Sequence, residues 1–147
     1  MTLLKSYYQL CKPNVVYMML ICAFVGMLLA EQTVSSYTYL FVSLIGIALC
    51  AASAAAINQV IDREADASMT RTDQRPLPKG ELSVTHASLF AFVIGLLGAF
   101  ILYFYVNTLT MILTIGSLIG YAFIYTVYLK RATPQNIVIG GLAGAAP

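Results

Sequence analysis

Asn58, Asp62 and Asp66 recur at every fourth position in a chain of 147 residues that is otherwise largely apolar. On an α-helix, side chains four apart share one face, each about 6 Å further along the axis. This spacing brings one amide and two carboxylates into a single oxygen-rich stripe. Oxygen donors without His or Cys suit hard cations. Magnesium keeps several waters and is commonly held by one or two carboxylates together with substrate phosphates. The chemistry such a stripe could support is that of a metal-bridged diphosphate. Asn58, Asp62 and Asp66 are therefore the candidate metal ligands and the candidate catalytic residues. The alternative is a helix end reaching water, with its acids solvated or paired to Arg63 and Arg71. Glu64 falls on a different face, where solvation is expected.

The segment from Met69 to Gly80 adds three cations, Arg71, Arg75 and Lys79. Arginine forks recognise phosphate bidentately and lysine supplies a point charge. Pro76, Pro78 and Gly80 favour a stiff turn over a continued helix. The loop is thus expected to bring its cations back towards the acids. A metal would neutralise a diphosphate leaving group while cations hold its outer oxygens. A purely topological role for these charges is the competing reading.

Composition says what scaffold must carry these groups. Hydrophobic residues make up 60% of the chain and charged residues 10%. Soluble domains carry about 25% charged residues, and a soluble domain of this length could not hide so much apolar surface. The expected fold class is an all-α membrane protein, a multi-spanning transmembrane helix bundle. A span needs roughly 20 mostly apolar residues. Segments at about 14–30, 37–57, 84–104 and 109–129 qualify or nearly do. A fifth, 134–147, opens at Thr133 and Pro134 and stops part-way, so the sequence reads as the N-terminal portion of a longer domain.

The charges sort by side. Lys5 and Lys12 precede the first span, and only Glu31 follows it. Arg63, Arg71, Arg75 and Lys79 follow the second span, no charge lies between Tyr105 and Thr108, and Lys130 and Arg131 follow the fourth. Basic residues in alternate loops are the positive-inside pattern. It places the N-terminus, the 58–83 segment and Lys130–Arg131 in the cytoplasm. A net charge of +2, spread over short loops, does not suggest nucleic acid as a partner. The first apolar run follows lysines as a signal peptide would, but Leu28 to Gln32 is a poor cleavage site, so a retained span is expected. No Arg/Ser-rich transit peptide precedes it, which favours a bacterial origin and an inner-membrane location.

Several other residues invite a functional reading and are better explained plainly. Cys11, Cys22 and Cys50 show no metal-ligand spacing and read as small buried hydrophobes. The run from Cys50 to Ala56 permits close helix packing, or a backbone drawn near a ligand. His86 stands alone near the start of the third span and reads as a wet, structural histidine. Tyr37, Tyr39, Tyr103 and Tyr105 lie near span ends, where tyrosines anchor to the interface. Tyr121 and Tyr125 are one turn apart on the fourth span and could line a cavity, stabilising a cation or packing on a flat ring.

The pattern Asn58-x3-Asp62-x3-Asp66 resembles the first aspartate-rich motif of the UbiA-type intramembrane prenyltransferases. Its continuation through Met69, Arg71, Thr72, Arg75, Pro76 and Leu77 resembles the protoheme IX farnesyltransferase, or heme O synthase, branch. A second stretch also resembles that branch: Tyr125, Thr126, Leu129, Lys130, Arg131, Thr133 to Asn136, Gly140, Gly141 and Ala143 to Ala145. Leu10 to Pro13 is similar to the family's approach to its first span. The resemblance covers most of the chain. It implies nine spans around a central cavity open to membrane and cytoplasm. It also implies transfer of a farnesyl group from farnesyl diphosphate to the vinyl group of heme B, giving heme O for respiratory terminal oxidases. Magnesium is the implied cofactor and heme B a substrate. By analogy Asn58, Asp62 and Asp66 match the metal–diphosphate ligands. Arg71, Arg75 and Lys79 would contact phosphate, and Lys130 and Arg131 would add positive charge. A downstream heme-processing enzyme or terminal oxidase is the implied partner.

The family's second aspartate-rich motif is not in these residues, which cover about half of its usual length. The 147-residue chain by itself is therefore expected to be inactive. Two rivals remain at this stage. One is another UbiA-type prenyltransferase acting on an aromatic quinone or chlorophyll precursor, against which the Thr133–Asn136 and Arg71–Leu77 stretches argue. The other is a transporter or channel segment with Asp62 and Asp66 as an ion site. A transporter would more often hold such acids near mid-membrane in interrupted helices.

Overall fold

Runs of apolar, helix-compatible residues punctuated by Pro13, Ser83 and Asn107 give five helices in the computed structural model, which describes residues 3–30, 37–70 and 72–122. They are α1 (Leu3–Leu10), α2 (Pro13–Ala30), α3 (Tyr37–Ala67), α4 (Val84–Tyr105) and α5 (Thr108–Ile119). No strand occurs among the described residues. The side chains of Ser83 and Asn107 accept from the backbone N–H of His86 at 3.2 Å and of Thr110 at 2.7 Å, capping α4 and α5. α3 and α4 are each long and apolar enough to cross a membrane, and α1 and α2 pass together as a pair bent by 46°.

The length of α3 positions the polar stripe. At 31 residues and about 1.5 Å per residue, it is roughly 46 Å long. A hydrocarbon core is about 30 Å thick. When the apolar part of α3 fills the core, its last three turns project beyond it, and those turns begin near Asn58. The helix does not stop at the membrane edge, because no Gly or Pro occurs between Gly46 and Ala67.

α3 packs mainly on α4 through small side chains. Ser43, Gly46, Cys50 and Ser53 are buried on α3, facing Ala91, Gly98 and Leu102 on α4. A Cβ on Gly98 would lie 2.9 Å from the Gly46 carbonyl oxygen and 3.0 Å from the Cys50 nitrogen, so the two backbones meet where glycine allows it. Ser53 Oγ donates to the Ala91 carbonyl at 2.7 Å. In lipid there is little hydrophobic force between helices, so close packing and interhelical hydrogen bonds must hold them. The Cys50–Ala56 run is thus a packing surface. Many large side chains of α2 and α4, among them Met18, Ile21, Phe92 and Leu96, point outward, as a lipid-facing surface would.

α5 packs against both α3 and α4. Asn107 Nδ2, in the turn before α5, donates to Tyr39 Oη at 3.0 Å and ties that turn to the start of α3. At the opposite end of α3, α1 and the segment after Ala67 come together. The expected spans at 37–57 and 84–104 fall within α3 and α4, and 14–30 falls within α2. One difference is that residues 3–10 form a separate helix rather than a simple flank of the first span. The expected fourth span is described only as far as Ala122, and 134–147 lies outside the described residues.

Candidate active site

Beyond the α4 seam, one face of α3 becomes polar while staying buried. Asn58, Gln59, Asp62 and Asp66 are 4, 2, 4 and 5% exposed. A buried carboxylate is costly unless it is paired or hydrogen-bonded, and the partners are present. Asn58 Nδ2 donates to Asp62 Oδ2 at 3.1 Å, one helical turn on. Arg75 Nη1 donates to Asp66 Oδ2 at 2.5 Å, an ion pair that draws the basic loop onto the stripe. Thr72 Oγ1 donates to the Asp66 backbone carbonyl at 2.9 Å, closing the end of the helix.

The loop is stiff for the reasons its residues suggest. Successive turns are closed by backbone bonds from Thr72 to Met69, Arg75 to Thr72, Lys79 to Arg75 and Glu81 to Pro76, at 3.0–3.1 Å. Gly80 takes the left-handed conformation, φ +70°, that lets the chain reverse. Leu77 and Leu82 anchor the loop in an apolar cluster with Leu10, Ala56, Ala87 and Ala91. Arg75 therefore reaches Asp66 from a fixed base.

The unexpected member of the site is Lys12. Its ammonium donates to Asn58 Oδ1, 46 residues away in sequence. Lys12 is the elbow between α1 and α2, with φ +48°. That conformation costs a non-glycine residue about 1–2 kcal/mol, and the following Pro13 disfavours the ordinary helical alternative. The Lys12 carbonyl accepts from Val15 and Val16 at 2.9 and 3.2 Å, starting α2, with Pro13 at its first position. The sequence pattern marks Lys12 only as a topology charge and as part of the approach to the first span. The X-Pro step at Lys12–Pro13 was the signal for a break in the helix there.

The other expected site residues fall as follows. Arg71, Tyr125, Lys130 and Arg131 lie outside the described residues. Lys79 is exposed, and its ammonium makes no ion pair among the described residues, so it does not reach the stripe as expected. The loop turns it outward, where its backbone closes onto Arg75. Tyr121 is half-buried just beyond α5. Glu64 is exposed as expected and pairs with Arg63 at 3.1 Å, so Arg63 does not neutralise the stripe. His86 is exposed, at the start of α4, and serves there as a capped backbone position. The three cysteines are free thiols.

The donor set fits a hard divalent cation in chemistry. It holds only oxygen ligands, Asn58 Oδ1 and the carboxylates of Asp62 and Asp66, on one buried face. No cluster of three His, Cys, Asp or Glu occurs among the described residues. Two carboxylates are what magnesium uses when phosphates complete its shell. In the structure Lys12 and Arg75 hold the outer members of the stripe, so the site is self-neutralised.

The chain that carries this Asn/Asp stripe and basic loop on a helical membrane scaffold belongs to the UbiA prenyltransferase family, whose family model matches residues 19–147. Among its relatives, it is 55% identical over 143 residues to protoheme IX farnesyltransferase 2 of Pseudoalteromonas atlantica, covering 97% of this chain and 47% of that protein. It is 57% identical to protoheme IX farnesyltransferase 1 of Shewanella sp. strain ANA-3, covering 97% and 48%. It is 56% identical to the protoheme IX farnesyltransferase of Saccharophagus degradans, covering 97% and 47%. The chain spans about half the length of the curated relatives it matches. No solved structure matches it.

Proposed function

We propose that the protein transfers a farnesyl group from farnesyl diphosphate to the vinyl group of heme B, giving heme O and diphosphate. The observation that carries this reading is the buried Asn58–Asp62–Asp66 face held between Lys12 and Arg75 at the projecting end of α3. The similarity to protoheme IX farnesyltransferases supports the choice of substrates. The continuity of α3 and the position of the acids at its end argue against a transporter site in an interrupted helix.

Asn58, Asp62 and Asp66 would hold Mg2+, which when bound offsets the charge of the diphosphate. Arg75 exchanges Asp66 for outer phosphate oxygens, and Lys12 offers a second charge from the elbow. The bond broken is the allylic carbon–oxygen bond, and its electron pair leaves with the diphosphate. The bond formed joins that carbon to the heme vinyl group. Water adds to the remaining vinyl carbon and loses a proton, giving the hydroxyethyl group. The apolar spans sheathe the farnesyl tail and keep bulk water from the developing cation. Further phosphate contacts from Arg71, Lys130 and Arg131, and cavity lining by Tyr121 and Tyr125, belong to the same proposal. So do a bundle of nine spans, a second aspartate-rich motif, a cytoplasmic face of the bacterial inner membrane for the site, and delivery of heme O to a heme-processing enzyme or terminal oxidase.

In the intact enzyme, Asp62→Ala should lower heme O formation about 10²–10³-fold, the scale of losing one preorganised charge-stabilising group. Membrane insertion and melting temperature should stay near wild type. Undiminished turnover in Asp62→Ala would remove the acids from the chemistry.

A further inference from the structure

Gln59 sits beside Asn58 on α3 but does not join the stripe. Its side chain is 2% exposed and turns towards α1. Its Nε2 donates to the backbone carbonyls of Gln9 and Leu10, each at 3.1 Å. These are last-turn carbonyls of α1, the groups that a helix end leaves without intrahelical partners. The Gln9 carbonyl also accepts from the Lys12 N–H at 3.1 Å, so clamp and elbow share one acceptor. Gln59 Oε1 is buried with no hydrogen-bond partner in the protein. The side chain is therefore placed for its two N–H donors, since the flipped amide would face two carbonyls with its oxygen.

The elbow needs such a clamp. Lys12 holds a left-handed backbone conformation directly before Pro13, and its ammonium projects from that turn to Asn58. A second tie, Ser6 Oγ to Glu81 Oε2 at 2.7 Å, fixes α1 to the segment before α4 one to two turns before the elbow. Gln59 adds two bonds at the end of α1, next to the backbone bond from Lys12 to Gln9 that closes the elbow. Because Gln59 and Asn58 are adjacent on one rigid helix, the clamp and the target of Lys12 move together.

We infer that Gln59 is a positioning residue that, by capping the C-terminus of α1, sets the Lys12 ammonium at the head of the stripe where the prenyl diphosphate binds. This rests on the farnesyl-diphosphate reading above. Gln59 touches neither substrate nor metal, so its effect runs through Lys12 and bears on the diphosphate substrate alone.

A double-mutant cycle in the intact, membrane-reconstituted protein tests it. The variants are Gln59→Leu, Lys12→Met and both together, with Gln59→Met as a change of similar length that removes the donors and adds no charge. Gln59→Leu and Gln59→Met should each raise KM for farnesyl diphosphate about tenfold, the loss expected when a charge-assisted contact is loosened. KM for heme B and kcat should change by less than about twofold. In the Lys12→Met background, Gln59→Leu should add less than about a further twofold. Additive effects of the two substitutions, or equal losses towards both substrates, would overturn the positioning role and leave Gln59 as a plain structural clamp. If Gln59→Leu does not fold, Gln59→Met against Gln59→Met/Lys12→Met completes the cycle. Binding of inorganic diphosphate with Mg2+ to the same proteins separates the two levels. Wild type that neither binds diphosphate nor transfers farnesyl defeats the functional reading. Wild type that binds it, with a cycle that is additive, defeats only the inference about Gln59.

Discussion

The two halves of α3 solve opposite problems on one continuous helix. From Ser43 to Ala56 it presents small, uncharged side chains to α4, and the backbones approach until Gly98 has no room for a Cβ. From Asn58 to Asp66 it buries an amide and two carboxylates, Asn58 held by Lys12, Asp62 by Asn58 one turn back and Asp66 by Arg75. The first half is held by shape and sets stability. The second is held by charge and is available for exchange with a ligand. A helix long enough to cross the core and continue beyond it lets the rigid half aim the reactive half.

That contrast can be broken from either side. The largest effect is the one given above for Asp62→Ala, which should fall on turnover and spare stability. Its counterpart is Gly98→Leu, which forces a side chain against the Gly46 and Cys50 backbones. Overpacking of this kind costs about 1–3 kcal/mol, so thermal or denaturant unfolding in detergent should register a clear loss. A Gly98→Leu protein as stable as wild type would show that the α3–α4 seam is not close-packed. Next comes Arg75→Lys, which keeps the charge at Asp66 but removes the planar fork. KM for farnesyl diphosphate should rise about tenfold with little change in unfolding. An unchanged KM would mean that Arg75 serves the loop and not the substrate.

Much of this was legible in the sequence because it is local. Four-residue spacing showed that Asn58, Asp62 and Asp66 share a face, apolar length showed α2, α3 and α4, and Pro76, Pro78 and Gly80 showed a turn that returns Arg75 to the acids. What stayed hidden depends on pairing across the chain. Lys12 and Asn58 are 46 residues apart and Ser6 and Glu81 are 75 apart. Periodicity carries no information about such contacts. Lys12 looked like one more positive-inside charge because nothing local distinguishes a lysine that anchors topology from one that turns back onto a helix. Gln59 lies one position off the four-residue spacing, so the pattern gives it no role. Lys79 is the opposite case. Its charge matched the loop's pattern, while the turn geometry pointed it away.

The central claim is that the Asn58–Asp66 face binds diphosphate through a divalent cation. Calorimetric titration of inorganic diphosphate into the intact protein, with and without Mg2+, measures this directly when repeated on Asp62→Ala. The expected result is binding in wild type that requires Mg2+ and that weakens by about 100-fold or more in the variant. Binding of equal strength in the two proteins, or binding in wild type indifferent to Mg2+, would contradict it.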